Sequence, residues 1–329
     1  MLKFFKHSYL SQHIVIVLMA IILWLPTFIT RSAFFIGENN TPLYNIIISL
    51  SEFSPFLADL IVFAVFILCV FLFNSVLSAN RLVNKYSTFG ALTFVLMMCC
   101  VSDLRSCYPF MLSCPFILMV MHTLFLIYQT DNPENYMMNV GYFIAIASLF
   151  YYPSIFLMIW VFISFIIFGY RKLRYLLIPF VAFMIINFIV VGLFFLIGDF
   201  NALIESYLTF FKNMSLSFEL SLINTIFLSI LTILFFISLL IIFENRNSDY
   251  GSNFRKRVGV SIVLTIISSV IFFMQKPLMS NLLIFMMFAF FYAIALSDIK
   301  KSRIANIMMI VMTLMIIVNR YLPIFGIMI

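Results

Sequence analysis

Three carboxylates fall within one short polar excursion of an otherwise apolar chain: Glu38, Glu52 and Asp59. At a membrane surface, a carboxylate can act as the general base that takes a proton from a hydroxyl. Five basic residues, Arg31, Arg105, Lys212, Lys276 and Arg320, each stand in a different loop or span end. Dispersed bases of this kind suit private salt bridges and headgroup contacts, or, if the fold gathers them, a phosphate or pyrophosphate ligand. Asp59 lies about a turn inside an apolar segment, where an ionised carboxylate is costly and calls for a partner, a raised pKa or a function. Glu38, in Gly37-Glu38-Asn39-Asn40, reads as either a solvated loop acid or a base. Glu52 precedes Asp59 by seven residues, so unbroken helix would place both on one face. Ser54-Pro55 interrupts that helix. His122, in MVMHTLFLIY, either bonds a neighbouring helix or lines a polar path.

The elements holding these residues are set by composition. The chain is 65% hydrophobic and 9% charged with a mean hydropathy of +1.18, against about 45–50% and 25% for soluble domains. This predicts an all-α, polytopic membrane protein, because backbone groups in lipid must be satisfied within the segment. Unbroken apolar runs, rather than alternation, argue against a barrel. The first apolar segment continues into Trp24-Leu25-Pro26 without a small-residue cleavage site, unlike a signal peptide. Cys69, Cys99, Cys100, Cys107 and Cys114 form no metal-ligand pattern. Cys107 and Cys114 are close enough in sequence to pair if their loop is extracytoplasmic. No P-loop, HExxH, GxSxG or dinucleotide fingerprint is present, so no cofactor, metal or bound ATP is expected.

At roughly 17–25 residues per crossing, the chain divides into eleven spans, near 13–29, 55–77, 86–101, 111–129, 137–152, 153–170, 175–197, 221–244, 258–274, 279–297 and 304–325. With the N-terminus cytoplasmic, fourteen of the nineteen Lys and Arg residues fall on the cytoplasmic side and the five named above on the other. The net charge of +7 is then an orientation signal, and no nucleic-acid partner is implied. Two amphipathic helices are expected on the non-cytoplasmic face. One starts at a Thr41 cap with Pro42 and carries a stripe of Leu43, Ile46, Ile47, Leu50 and Phe53. The other carries Phe200, Leu203, Ile204, Tyr207, Leu208 and Phe211, with Lys212 off the stripe. The whole of 1–329 reads as one transmembrane domain.

Three features together resemble the GT-C class of membrane glycosyltransferases. An acidic first outer loop (Glu38) runs into a surface helix over Thr41 to Ser54. A pair of short spans meets at SLFYYPSIFLMIW, Ser148 to Trp160. A basic turn at Arg171 to Arg174, a long span and a second surface helix from Asp199 follow. The likeness covers residues 1–215, and 216–329 adds further transmembrane helices. Phe73 to Met98 also looks like an uncharacterised family of bacterial polytopic inner-membrane proteins. The resemblance implies transfer of a sugar from a polyprenyl-phosphate-linked donor at the non-cytoplasmic face of a bacterial inner membrane. In it Glu38 stands alone where the class usually has Asp-Asp or Asp-Glu, with Glu52 and Asp59 as alternates. Arg31, Arg105, Lys212, Arg320 and His122 would meet the substrate. Two other readings stand beside it: a lipid or solute transporter with Asp59 and His122 in its path, and a non-catalytic subunit of an envelope-assembly or secretion complex with protein partners in the membrane.

Overall fold

The computed structural model describes residues 5, 10–29, 41–128, 130, 132–214, 222–244, 252–274, 278–299 and 302–321. Among the described residues the structure is 88% helical, with no strand. In chain order the helices are α1 (Leu10–Ile29), α2 (Tyr44–Phe53), α3 (Pro55–Ala79), α4 (Phe89–Met98), α5 (Tyr108–Ile127), α6 (Glu134–Phe150), α7 (Leu157–Phe168), α8 (Leu173–Ile197), α9 (Phe200–Asn213), α10 (Leu222–Glu244), α11 (Ser252–Met274), α12 (Leu283–Asp298) and α13 (Ser302–Tyr321). Single 3-10 turns precede α5, α7 and α12. Among the described residues six segments are long and apolar enough to cross a membrane: Leu10–Ile29, Pro55–Ala79, Arg105–Ile127, Leu173–Ile197, Asn224–Glu244 and Asn253–Met274. They mark the chain as a helical membrane protein.

Two short apolar helices, α4 and α12, lie deepest. α4 has ten residues, about 15 Å of helix against a hydrocarbon core of about 30 Å. All ten are buried, and α12 is buried on every side. A helix too short to span lipid persists here because protein surrounds it and satisfies its ends. α4 and α12 pack together, and Thr93 Oγ1 donates to Ala289 O across them at 3.1 Å. The ring around this pair is tied by Tyr292 Oη to Leu231 O (2.5 Å) and Trp160 Nε1 to Val260 O (2.9 Å). α8 lies at the periphery with most of its surface bare. Its close approach to α6 needs Gly141, where an added Cβ would stand 2.2 Å from Pro179 O.

The helix ends collect at two opposite poles. One pole holds the α1 end, α2, the α6–α7 junction and α9. The other holds the turn after α3, the α5 end and the α7–α8 turn, where Gly169 takes φ +95° beyond the last turn of α7.

α2 corrects one expectation. Thr41 does not cap it: its hydroxyl donates to Phe150 O at 2.9 Å, the Leu43 N–H to Leu149 O, and the helix begins at Tyr44 without a side-chain cap. The buried face is Tyr44, Ile47, Ile48 and Ser51, while Ile46 and Phe53 are exposed. The side packed on protein thus adjoins the apolar stripe and shares Ile47 with it. α9 likewise buries Leu203 and Phe210 and leaves Ile204, Leu208 and Phe211 open. Cys107 and Cys114, whose pairing the sequence leaves open, are not bonded: all five cysteines are free and buried.

Candidate functional site

Ser54 is extended (φ −154°, ψ 102°), and Pro55 restarts the chain as the first residue of α3. This break turns Glu52 out to solvent and carries Asp59, one turn into α3, inward to 2% exposure. Across from it, the 3-10 turn Arg105–Cys107 holds the guanidinium of Arg105, itself buried. Arg105 donates to both Asp59 oxygens, NH2 to Oδ2 at 2.7 Å and Nε to Oδ1 at 3.3 Å. Tyr108 Oη donates to Oδ1 at 2.5 Å, and Trp24 stacks on the Tyr108 ring at 6.0 Å. Asp103, the nearer acid in sequence, instead accepts from the Arg105 backbone N–H at 3.2 Å.

Arg320 reaches the same place from α13. Its Nε donates to Leu23 O (3.0 Å) and its NH1 to Val101 O (3.3 Å) and Ser102 O, while its NH2 bonds the Thr27 hydroxyl oxygen. Thr27 is the shared point, because its carbonyl accepts from Arg105 NH2 at 3.0 Å. Asn319 adds Nδ2 to Cys100 O at 2.6 Å. Asp59, Arg105 and Arg320 are therefore brought together, and the packing uses their hydrogen-bonding capacity internally. Both Asp59 oxygens already accept from buried donors, so a substrate hydroxyl has no approach to them in this arrangement.

The other candidates do not join this cluster. Glu52 is exposed on α2 and Lys212 exposed on α9. Arg31 and Glu38 lie outside the described residues. His122 is at the opposite pole, where its Nδ1 accepts from Asn80 Nδ2 at 3.2 Å, with the ring proton then on Nε2. Asn80 follows the last residue of α3 and Asp59 lies in its first turn, so the two are about 30 Å apart along the helix.

Several residues passed unread in the sequence. Arg257, one of three adjacent bases treated as an orientation signal, is buried and donates to Asn80 O at 2.6 Å, beside the Phe125 ring. Tyr108, Thr27 and Tyr44 are polar atoms on apolar faces, and only Tyr108, three residues after Arg105, had a spacing that could have marked it. The Tyr44 phenol is pushed above its ordinary pKa by burial, with Asp103 and Cys107 adding to the effect.

The α6–α7 junction positions both amphipathic helices. Tyr151 is extended (φ −148°, ψ 99°), and Tyr152 with Pro153 opens a 3-10 turn. Phe150 O takes the Thr41 hydroxyl. Tyr152 Oη shares a hydrogen bond with Ser206 Oγ at 2.7 Å and packs its ring on Tyr207 (4.8 Å) and Phe210 (5.3 Å). Compared with known proteins, the chain matches no family model, no curated protein and no solved structure.

Proposed function

We propose that this chain is a GT-C-like membrane glycosyltransferase of a bacterial inner membrane, taking a sugar from a polyprenyl-phosphate-linked donor at the pole that carries α2 and α9. One observation carries the reading: α2 and α9 are both docked on a single interruption between two helices, through Thr41 to Phe150 and Tyr152 to Ser206. Two interfacial helices held side by side by short, broken helices make a floor at headgroup depth, where a lipid-linked donor would lie. The reading takes the six long helices together with the shorter α4, α6, α7, α12 and α13 as eleven crossings, with the N-terminus cytoplasmic. Opposite poles for the described helix ends between α1 and α9 support that alternation.

Within this reading Glu38 is the general base, Glu52 its alternate, and Asp59 a structural partner of Arg105. The donor phosphate would meet Arg31 and Lys212. The test is turnover of polyprenyl-phosphate-linked sugar by the purified protein in liposomes. Glu38→Gln should reduce it by about 10²–10⁴-fold with an unchanged melting temperature. Full activity in Glu38→Gln removes Glu38 from the chemistry.

A second reading, a non-catalytic subunit of an envelope-assembly or secretion complex, is favoured by the fate of two bases. Arg105 and Arg320 are consumed by Asp59 and by backbone carbonyls rather than held toward a ligand. It predicts no turnover by the wild type with any donor, and a stable membrane partner recovered with it.

A further inference from the structure

A groove of about 860 Å³ opens at the pole opposite the Asp59–Arg105 cluster, where the end of α3 meets the end of α12. Arg81, Asn84 and Lys85 stand on its α3 side, and Ser297 and Asp298 on its α12 side. Its volume falls in the range of small-ligand sites and is far larger than an inorganic ion needs.

The α3 side is a wall of donors. α3 ends in a Schellman arrangement: Leu82 N–H bonds Leu77 O and Arg81 N–H bonds Ser78 O, both at 3.0 Å. The left-handed position of such an ending is ordinarily glycine, whereas here it is Arg81 at φ +52°. Among the described residues no other non-glycine residue has a positive φ. Backbone strain of this kind persists where the side chain it carries has a use. Arg81, Asn84 and Lys85 are all exposed, and neither cation forms an ion pair among the described residues. The backbone N–H groups of Asn84 and Lys85 have no backbone acceptor there either.

A third cation lies behind this wall. Arg257 is 4% exposed, and its NH1 donates at 2.6 Å to Asn80 O, the carbonyl of the peptide that continues into Arg81. It too has no carboxylate partner among the described residues. The C-terminus of α3 favours cations at this place, but its dipole supplies only about half a charge. The α12 side does not complete the balance. Asp298 Oδ1 accepts from the Ser297 hydroxyl at 3.1 Å, and Oδ2 is fully buried. Arg81 and Arg257 flank one peptide and repel each other, and an anion seated in the groove would offset that repulsion.

We propose that this groove binds the phosphate of a phosphate ester, with Arg81 and Lys85 as its direct ligands and Arg257 as a fixed charge behind them. A basic pocket between membrane helices suits a lipid phosphate, and the same donors suit a soluble ester. The proposal is independent of the transferase reading, since it concerns the opposite pole.

The test has two arms. In the first, the protein is reconstituted into nanodiscs with equal amounts of phosphatidic acid and phosphatidylcholine of identical chains, then extracted in detergent, and its retained lipid is quantified. In the second, delipidated protein is titrated calorimetrically with glycerol 3-phosphate. Phosphatidic acid retained about tenfold above phosphatidylcholine, without glycerol 3-phosphate binding, assigns the lipid. Glycerol 3-phosphate binding without that excess assigns a soluble ester, and both together assign a site that reads the phosphate whatever it is attached to. Arg81→Gly keeps the left-handed turn without its steric cost, so it should melt no lower than the wild type yet weaken the signal about tenfold. Lys85→Gln should weaken it similarly. Lys172→Gln, which removes an exposed base from the α7–α8 turn at the same pole, should leave it intact. Neither signal in the wild type, an unchanged signal in Arg81→Gly and Lys85→Gln, or an equal loss in Lys172→Gln overturns the proposal. The wild-type measurements need no variant to fold.

Discussion

Asp59 and Arg105 form a two-point ion pair, 2.7 Å and 3.3 Å, in which neither side chain is more than about 5% exposed. A buried pair is weak evidence for net stabilisation, but removing one partner leaves the other charged and unmatched. Arg105→Met should therefore cost about 3–5 kcal/mol, and Arg105→Lys, which keeps the charge but loses the fork, should cost less. Thermal unfolding of detergent-purified variants followed by size exclusion measures both. The exposed pair Glu134–Arg174, at 2.9 Å, is the control, and its removal should change stability by no more than about 1 kcal/mol.

Gly141 makes the contact between α6 and α8 possible. Gly141→Ala would force a Cβ to within 2.2 Å of Pro179 O and 2.8 Å of Ala182 Cβ, so the helices must part at a cost of about 1–3 kcal/mol. Gly192→Ala, with nothing within 4 Å, should be neutral or slightly stabilising. Melting temperatures of the pair separate crowding from helix propensity.

Tyr152 fastens α9 by a hydroxyl and by its ring. Tyr152→Phe removes only the Ser206 bond and should cost about 0.5–1.5 kcal/mol. Tyr152→Ala removes the stacking on Tyr207 and Phe210 as well, at about 3–5 kcal/mol. Hydrogen exchange over Phe200–Asn213 should rise modestly in the first variant and strongly in the second.

Free, buried cysteines predict a simple chemical result. The folded protein should resist a membrane-impermeant alkylating reagent, and denaturation without reductant should then expose five reactive thiols by mass. Three or fewer adducts would show a disulfide.

How far the sequence could be read follows from what each residue type announces. Helical membrane class came directly from composition, and the Ser54-Pro55 break and both amphipathic helices came from spacing, because proline chemistry and helical periodicity are local. The partner of Arg105 was not local. Asp103 is two residues away and Asp59 forty-six, and only the fold shows that the nearer acid binds the backbone while the farther one takes the guanidinium. The protein-facing side of α2 was not legible either, because a helix between lipid and protein has two apolar sides and periodicity does not say which faces in. Asn80 and Arg257 gave no signal, since a lone amide and one base in a basic run are common features of loops.

The Arg320 contacts also bear on how the protein is made. Leu23 and Val101 emerge from the ribosome long before residue 320, so their carbonyls and the Thr27 hydroxyl wait without this donor through most of synthesis. Until α13 arrives, the Val101 and Ser102 carbonyls in the α4–α5 connection lack the guanidinium that they accept from in the folded protein. Chains stopped before Arg320 should therefore be cleared by membrane proteases faster than chains reaching Tyr321.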